Sequence, residues 1–257
     1  MISEKKNGLL YFRFPHLASL PGIAHGVFSR KGGKSRGPFK SLNVTLGAGD
    51  DDACVAANRE RVRRALGADK TLYFKQTHGD GIAILKKREK PDLAAMLQSP
   101  LEADAAITDV PGVFPVMQTA DCQAILMADP QKRVVAAVHS GWRGSVADIA
   151  GKTVRAMKEA FGCAPENILA GVGPSLGPCC AEFVNFKDEF PPGLFKYGDA
   201  SAHFDFWTLT RDQLREAGLP GRNIFAGGMC SKCETALFFS YRGEKITGRL
   251  ASAIGVR

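Results

Sequence analysis

Apolar positions along this chain fall into two recurring patterns, and each predicts a type of element. Val134 to Val138 is an unbroken β-branched and alanine run, suited to a strand buried on both faces. Leu72 to Lys75 and Gly81 to Leu85 read as strands around the polar turn Gln76-Thr77-His78-Gly79. Val113 to Met127 holds two apolar runs, PVM and AILMA, separated by the polar stretch Gln118 to Gln123. Ile168 to Val172 and Ala236 to Tyr241 supply two more expected strands. The second pattern is helical: Val146, Ile149, Ala150, Val154, Met157 and Phe161 recur at the spacing of one helix face. That predicts a helix over Ser145 to Phe161, with Ser145 as N-cap, Asp148 in the first turn, Lys158 in the last and Gly162 ending it. Shorter helices are expected at Asn58 to Leu66 and from Thr210 to Ala217. Strands and helices alternate too irregularly for a repeated βαβ wind. The expected fold class is α/β, a single domain over residues 1–257 with mixed β-sheets.

Composition narrows the class. Apolar residues make up 45% and charged residues 23%, ordinary values for a globular chain of this length. No stretch approaches the roughly 18 consecutive apolar residues of a membrane-spanning helix. The opening MISEKKNGLLYFRFP has no long apolar run and no small-residue cleavage site, so the cytoplasm is the expected compartment. In that compartment the seven cysteines are read as reduced thiols, metal ligands or a nucleophile rather than as a disulfide framework. The net charge of +8 is scattered, without the aromatic-interleaved basic face of a dedicated nucleic-acid binder.

Three local constellations carry candidate chemistry. His78, Cys122 and His139 sit in polar turns or at strand ends, and two imidazoles with one thiolate suit zinc with a fourth position open. The same three residues also fit bland roles, a hydrogen-bonded structural histidine and a small buried thiol, and their spacing does not force them together. The turn His139-Ser140-Gly141-Trp142-Arg143-Gly144-Ser145 leads from a strand into a helix, where free N–H groups and Arg143 would favour an anion. A tight turn with Trp142 packed and Arg143 paired to an acid satisfies the same residues. Cys230-Ser231-Lys232-Cys233 is an isolated CxxC, and with Cys179-Cys180 it is read as structural thiols. The glycines of Phe28 to Ser35 lack the spacing of a nucleotide-binding P-loop.

The segments FSRKGG, SLNVTLGAGDD, KQTHGD, ADAAITDVPGV, TADCQAILMADP, VVAAVHSGWRGS, GVGPSLGPCCAEF, CSKCETALFFSYRG and TGR follow one another in an order that resembles the YfiH/laccase-domain family over nearly the whole chain. That family is also described as multicopper polyphenol oxidase-like and as purine nucleoside phosphorylases. The resemblance implies a layered α/β/β/α architecture similar to a cytotoxic-factor cysteine hydrolase. It puts the metal ligands on His78, Cys122 and His139, with one Zn²⁺ per chain. It implies phosphorolysis of adenosine, inosine and methylthioadenosine, together with deamination of adenosine. Asp121 is then a proton shuttle, and Arg143, Arg30, Arg242, Asn43 and Gln76 are expected contacts to nucleoside or phosphate. Two departures stand out: Ser140 replaces the usual alanine of HAGWRG, and Gly243 replaces the second arginine of SYRR.

Two other enzyme readings use the same residues. A cysteine hydrolase or amidase would take Cys122 as nucleophile and His139 as base. A copper-dependent polyphenol oxidase needs more histidines than the five present. The remaining non-enzymatic reading is a basic RNA-associated module. Partners are expected to be nucleosides and phosphate, with no nucleic acid or membrane. The oligomeric state is not readable from the sequence.

Overall fold

The continuous apolar runs become strands because both faces of each are covered. A computed structural model describes residues 1–257. Its strands are β1 (Ile2–Lys6), β2 (Leu9–Arg13), β3 (Ile23–Phe28), β4 (Lys70–Tyr73), β5 (Ile82–Leu85) and β6 (Ala105–Thr108). They continue with β7 (Val113–Thr119), β8 (Gln123–Asp129), β9 (Val134–Ser140), β10 (Leu169–Val172), β11 (Ile224–Ala226) and β12 (Leu250–Val256). Two six-stranded mixed sheets result, ordered β1-β2-β3-β12-β7-β4 and β11-β10-β8-β9-β6-β5.

Alternation along the strands explains how the sheets stack. In β9, Val135 and Ala137 join the core between the sheets, while Val134, Ala136 and Val138 face the helix Ile149–Phe161. In β12, Leu250 and Ile254 enter the inter-sheet core, whereas Ala251 and Ala253 belong to the cluster that includes Val62, Ala65 and Leu66 of the helix Asp52–Leu66. Helix, sheet, sheet, helix is therefore the layer order, the α/β/β/α arrangement the resemblance implied. At about 25 cal/mol per Å² of apolar surface, these three buried clusters supply the main drive to fold.

Three expectations for local structure need correction. The helix expected from Ser145 is two helices, Trp142–Val146 and Ile149–Phe161. Asp148, not Ser145, caps the second: its backbone is left-handed at φ 56° and its carboxylate accepts from Gly151 N. A left-handed residue cannot continue a right-handed helix, so the chain breaks there. Gly162 ends the helix as expected, at φ 67°. Ala236 to Tyr241 forms no strand. Leu237 N and Phe238 N both donate to Glu234 O, which curls the segment into turns that drop Phe238 and Phe239 into the inter-sheet core. The other two helices begin earlier than expected, at Asp52 and Phe206, each capped by an aspartate side chain.

Candidate active site

Sheet register brings together residues far apart in sequence. β8 and β9 are antiparallel with Ala124 opposite His139, so Cys122, just before β8, ends up beside His139 at the rim of the same sheet. β6 and β9 are antiparallel with Ala105 opposite Val138, which sets Asp104 next to His139; His139 N donates to Asp104 O at 2.7 Å. His78 arrives from the connection that carries the chain from β4 in one sheet to β5 in the other. One side-chain atom from each of His78, Cys122 and His139 lies within 4.8 Å of those of the other two. The two imidazole rings stand edge to face, with centroids 4.9 Å apart.

Asp104 organises this centre, and sequence reasoning missed it. Its side chain is fully buried. Its carboxylate accepts from Thr77 N, Thr77 Oγ1, His78 N and Gly79 N at 2.8 to 3.1 Å, and from His139 Nδ1 at 2.8 Å. Burial alone would raise its pKa, but those donors outweigh it and bring the group down to about 2. A carboxylate has no proton to give at neutral pH, so His139 Nδ1 carries the hydrogen between them, and Nε2 is the ring nitrogen that would bind a metal once it has lost its own proton. The same contacts hold His78 in a left-handed backbone conformation, φ 61°.

The donor set fits a metal ion. Burial pushes the Cys122 thiol up, but the charge on His139 and hydrogen bonds from both imidazoles outweigh it and favour the thiolate. Burial likewise disfavours charge on His139, yet the thiolate and Asp104 raise it overall. A poised thiolate is the form that binds metal. Gly141 keeps the approach open: a Cβ there would sit 3.0 Å from His78 Cδ2 and 3.2 Å from Cys122 Sγ. The other three histidines lie elsewhere. His25 Nε2 accepts from Phe14 N, His16 contacts Ala170 O and His203 contacts Ser201 O. No second cluster of histidines exists to complete a multicopper centre.

The three residues open into a cavity of about 1160 Å³. Aromatic rings line part of it, including Tyr73, Trp142, Phe183, Phe206 and Tyr241, and Arg59, Arg242 and Arg249 bring positive charge. Gln76 lines it with its amide locked onto both backbone groups of Gln118, at 2.9 and 2.8 Å. Asp121 lines it too, at φ 89°, and its carboxylate accepts from Ser231 Oγ and Arg242 N, both at 2.6 Å. Arg242 Nη1 donates to Glu182 O at 2.9 Å, which leaves its other donors for the cavity.

Three expected contacts sit differently. Arg143 is exposed, outside the cavity lining, with its guanidinium 4.3 Å from the Trp142 ring centroid. The short helix Trp142–Val146 turns it away. Arg30 pairs with Glu244 at 2.8 Å and donates to Thr235 O and Lys40 O, so it braces loops rather than lining the cavity. Asn43 is fully buried; it bonds Asp50 and receives Arg249 N, and so fixes the loop that carries Arg249. Arg249 itself was unremarked in the sequence, as were Arg59 and the aromatic wall. The TGR triplet that contains Arg249 was the available signal.

The family described as multi-copper polyphenol oxidoreductase laccase matches residues 24–257. "Purine nucleoside phosphorylase YlmD" of Geobacillus stearothermophilus is 32% identical, with 92% of this chain and 91% of that one aligned. "Purine nucleoside phosphorylase YfiH" of Escherichia coli is 34% identical, with 91% and 93% aligned. The crystal structure of the Geobacillus YlmD superposes with a TM-score of 0.87 at 31% identity, covering 99% of this chain and 98% of that one. The structure of the Bacillus licheniformis protein YfiH also gives 0.87, at 28% identity, covering 98% and 97%. Matched along nearly its full length in both sequence and fold, the chain belongs to the multi-copper polyphenol oxidoreductase laccase family, with YlmD and YfiH among its relatives.

Proposed function

We propose that this chain is a zinc-dependent purine nucleoside phosphorylase that takes adenosine, inosine and methylthioadenosine, with adenosine deaminase activity as a second reaction. The observation that carries the reading is the convergence of His78, Cys122 and His139, braced by buried Asp104, on a cavity walled by aromatics and arginines. The relatives named as purine nucleoside phosphorylases support it. His78, Cys122 and His139 would hold the ion, one per chain. When bound, Zn²⁺ would supply Lewis acidity to the cavity that these three residues line.

The remaining roles fall to the chain's own side chains. Trp142, Phe183, Phe206 and Tyr241 offer aromatic surface for a flat purine and exclude water from it. Arg242 and Arg249 hold the phosphate dianion, because both line the cavity whereas Arg143 and Arg30 do not. In phosphorolysis a phosphate oxygen forms the new bond to C1′ of the ribose. The C1′–N9 bond breaks, and its electron pair leaves on the base, which takes up a proton. Gln76, locked to the Gln118 backbone within the cavity lining, would orient the nucleoside. In deamination water adds at C6 and ammonia leaves, and Asp121, the carboxylate that precedes Cys122 in the chain and lines the cavity, would pass the proton.

A second reading, a cysteine hydrolase, rests on the Cys122 thiolate and its neighbour His139. Metal dependence separates the two. A phosphate-dependent assay on adenosine, inosine and methylthioadenosine is run before and after chelation. Loss on chelation and recovery with Zn²⁺ is the expected result. Full activity in the metal-free protein, abolished by a thiol alkylator, transfers the chemistry to Cys122 as nucleophile.

A further inference from the structure

A second cluster of ligand atoms lies on the far side of Asp121 from Cys122 in the chain of contacts. Cys179, Cys180, Cys230 and Cys233 place their four Sγ atoms within 4.8 Å of one another. Cys233 Sγ is 3.6 Å from Cys179 Sγ and 3.7 Å from Cys180 Sγ. Four sulfurs at ~2.3 Å from a tetrahedral zinc stand ~3.8 Å apart. All four are free thiols, and Cys233 is nearly equidistant from two partners, the arrangement of a shared ligand sphere rather than of one preferred pair.

Backbone geometry builds the cluster from two short turns. Cys180 N and Ala181 N both donate to Gly177 O, a turn that presents Cys179 and Cys180 together. Glu234 N donates to Cys230 O and closes the turn around the CxxC. Ser231 N donates to Ser175 O at 2.9 Å and holds the two turns side by side. Gly177 N donates to Cys230 Sγ at 3.3 Å, a contact that favours a thiolate at that sulfur. Gly177 must be glycine-sized for this approach, since a Cβ would lie 3.1 Å from Cys230 Cβ and 2.8 Å from the Trp207 ring. Burial does not explain the cluster, because Cys179 and Cys233 are exposed, whereas a free cysteine used for packing is ordinarily buried.

We propose that Cys179, Cys180, Cys230 and Cys233 bind a second, structural Zn²⁺, independent of the His78–Cys122–His139 centre. Four sulfur ligands fill a tetrahedral sphere and leave no position for substrate. Binding releases the thiol protons to solvent. The ion clips two segments of cavity wall to each other. Leu176 and Phe183 flank one turn, Ser231 Oγ in the other donates to Asp121, and Arg242 Nη1 reaches Cys180 O. The clip thus fixes the wall that carries Asp121 and Arg242, whatever reaction the cavity performs.

Elemental analysis of the intact purified chain tests this. About two zinc ions per chain are expected, with Cys122→Ser and Cys233→Ser each retaining about one. Zinc content that is unchanged in Cys233→Ser overturns the proposal, and the first centre's loading is read separately from Cys122→Ser. Should Cys233→Ser fail to fold, thiol alkylation mapped by mass spectrometry on the unsubstituted protein decides. The four cysteines are expected to resist alkylation until a chelator is added, with no reductant needed. Free labelling without chelator overturns the site. Labelling that needs a reductant instead of a chelator shows disulfides and overturns it equally.

Discussion

Asp104 Oδ1 accepts the Nδ1 hydrogen of His139 at 2.8 Å, inside a fully buried pocket, and by doing so decides which imidazole nitrogen faces Cys122. The other carboxylate oxygen gathers Thr77 and Gly79, so one side chain aligns two of the three segments that carry the proposed ligands. Asp104→Asn replaces one acceptor oxygen with a donor and breaks this arrangement. Metal affinity is expected to fall by about 10- to 100-fold. Competition against a calibrated chelator measures it, and an unchanged affinity would remove Asp104 from its positioning role.

Gly141 gives a sharper steric test. Its backbone, φ −76°, is one that alanine adopts without strain, so only the added methyl matters. That methyl would meet His78 Cδ2 at 3.0 Å and Cys122 Sγ at 3.2 Å. Gly141→Ala is therefore expected to lower metal content and nucleoside turnover together while leaving the thermal transition of the metal-free protein within a few degrees. Normal metal content in a folded Gly141→Ala protein would count against the proposed ligand trio.

Arginine placement separates two accounts of phosphate binding. Arg249 lines the cavity and Arg143 stacks on Trp142 outside it. A hydrogen bond to a charged group contributes about 1.5–3 kcal/mol, equivalent to roughly 10- to 100-fold in affinity. Arg249→Ala is expected to raise the KM for phosphate by that factor, and Arg143→Ala to leave it within about twofold. Initial rates at varied phosphate measure both; the reverse ranking would restore the short helix and its arginine as the anion site.

The pattern of apolar runs revealed six of the twelve strands, β4, β5 and β7 to β10, because strands buried on both faces leave unbroken stretches such as Val134 to Val138; it did not mark β1, β2, β3, β6, β11 or β12. It misread Ala236 to Tyr241, where Phe238 and Phe239 are apolar for the sake of the core and not of a ladder. Residue type left His78, Cys122 and His139 open to bland roles, and the family resemblance put the proposed ligands there; the fold brings the three together. Asp104 went unmarked. An aspartate ahead of a strand looks like any solvated turn acid until the β6–β9 register sets it opposite His139. The reach of Arg143 depended on where a helix starts, and a left-handed Asp148 splits that helix in two. Such breaks turn on one residue's dihedral angles, which periodicity averages away.

His25 gives the stability a definable pH dependence. Its Nε2 accepts from Phe14 N at 2.8 Å within the apolar packing around Phe14. Burial, with a smaller push from Arg13, holds its pKa down to about 3. The folded value lies below the unfolded one of about 6.5, so the folded state keeps the ring neutral where the unfolded chain takes up a proton. The contribution is complete above pH ~6.5 and is lost progressively as pH falls toward ~3, amounting to about 2 kcal/mol between pH 7 and 5. His25→Gln should flatten the acid limb of urea-denaturation stability by that amount. Parallel pH profiles for the two proteins would show that His25 does not set it.

Strand β12 lies between β3 and β7 in the first sheet, paired to both. Translation delivers it after every other strand. While residues 250–256 are still inside the ribosome, β1-β2-β3 and β7-β4 have no ladder joining them, and the apolar faces of Val27 and Met117 await a neighbour. That sheet cannot close until β12 emerges, and its nascent halves are the segments a chaperone would have most reason to shield.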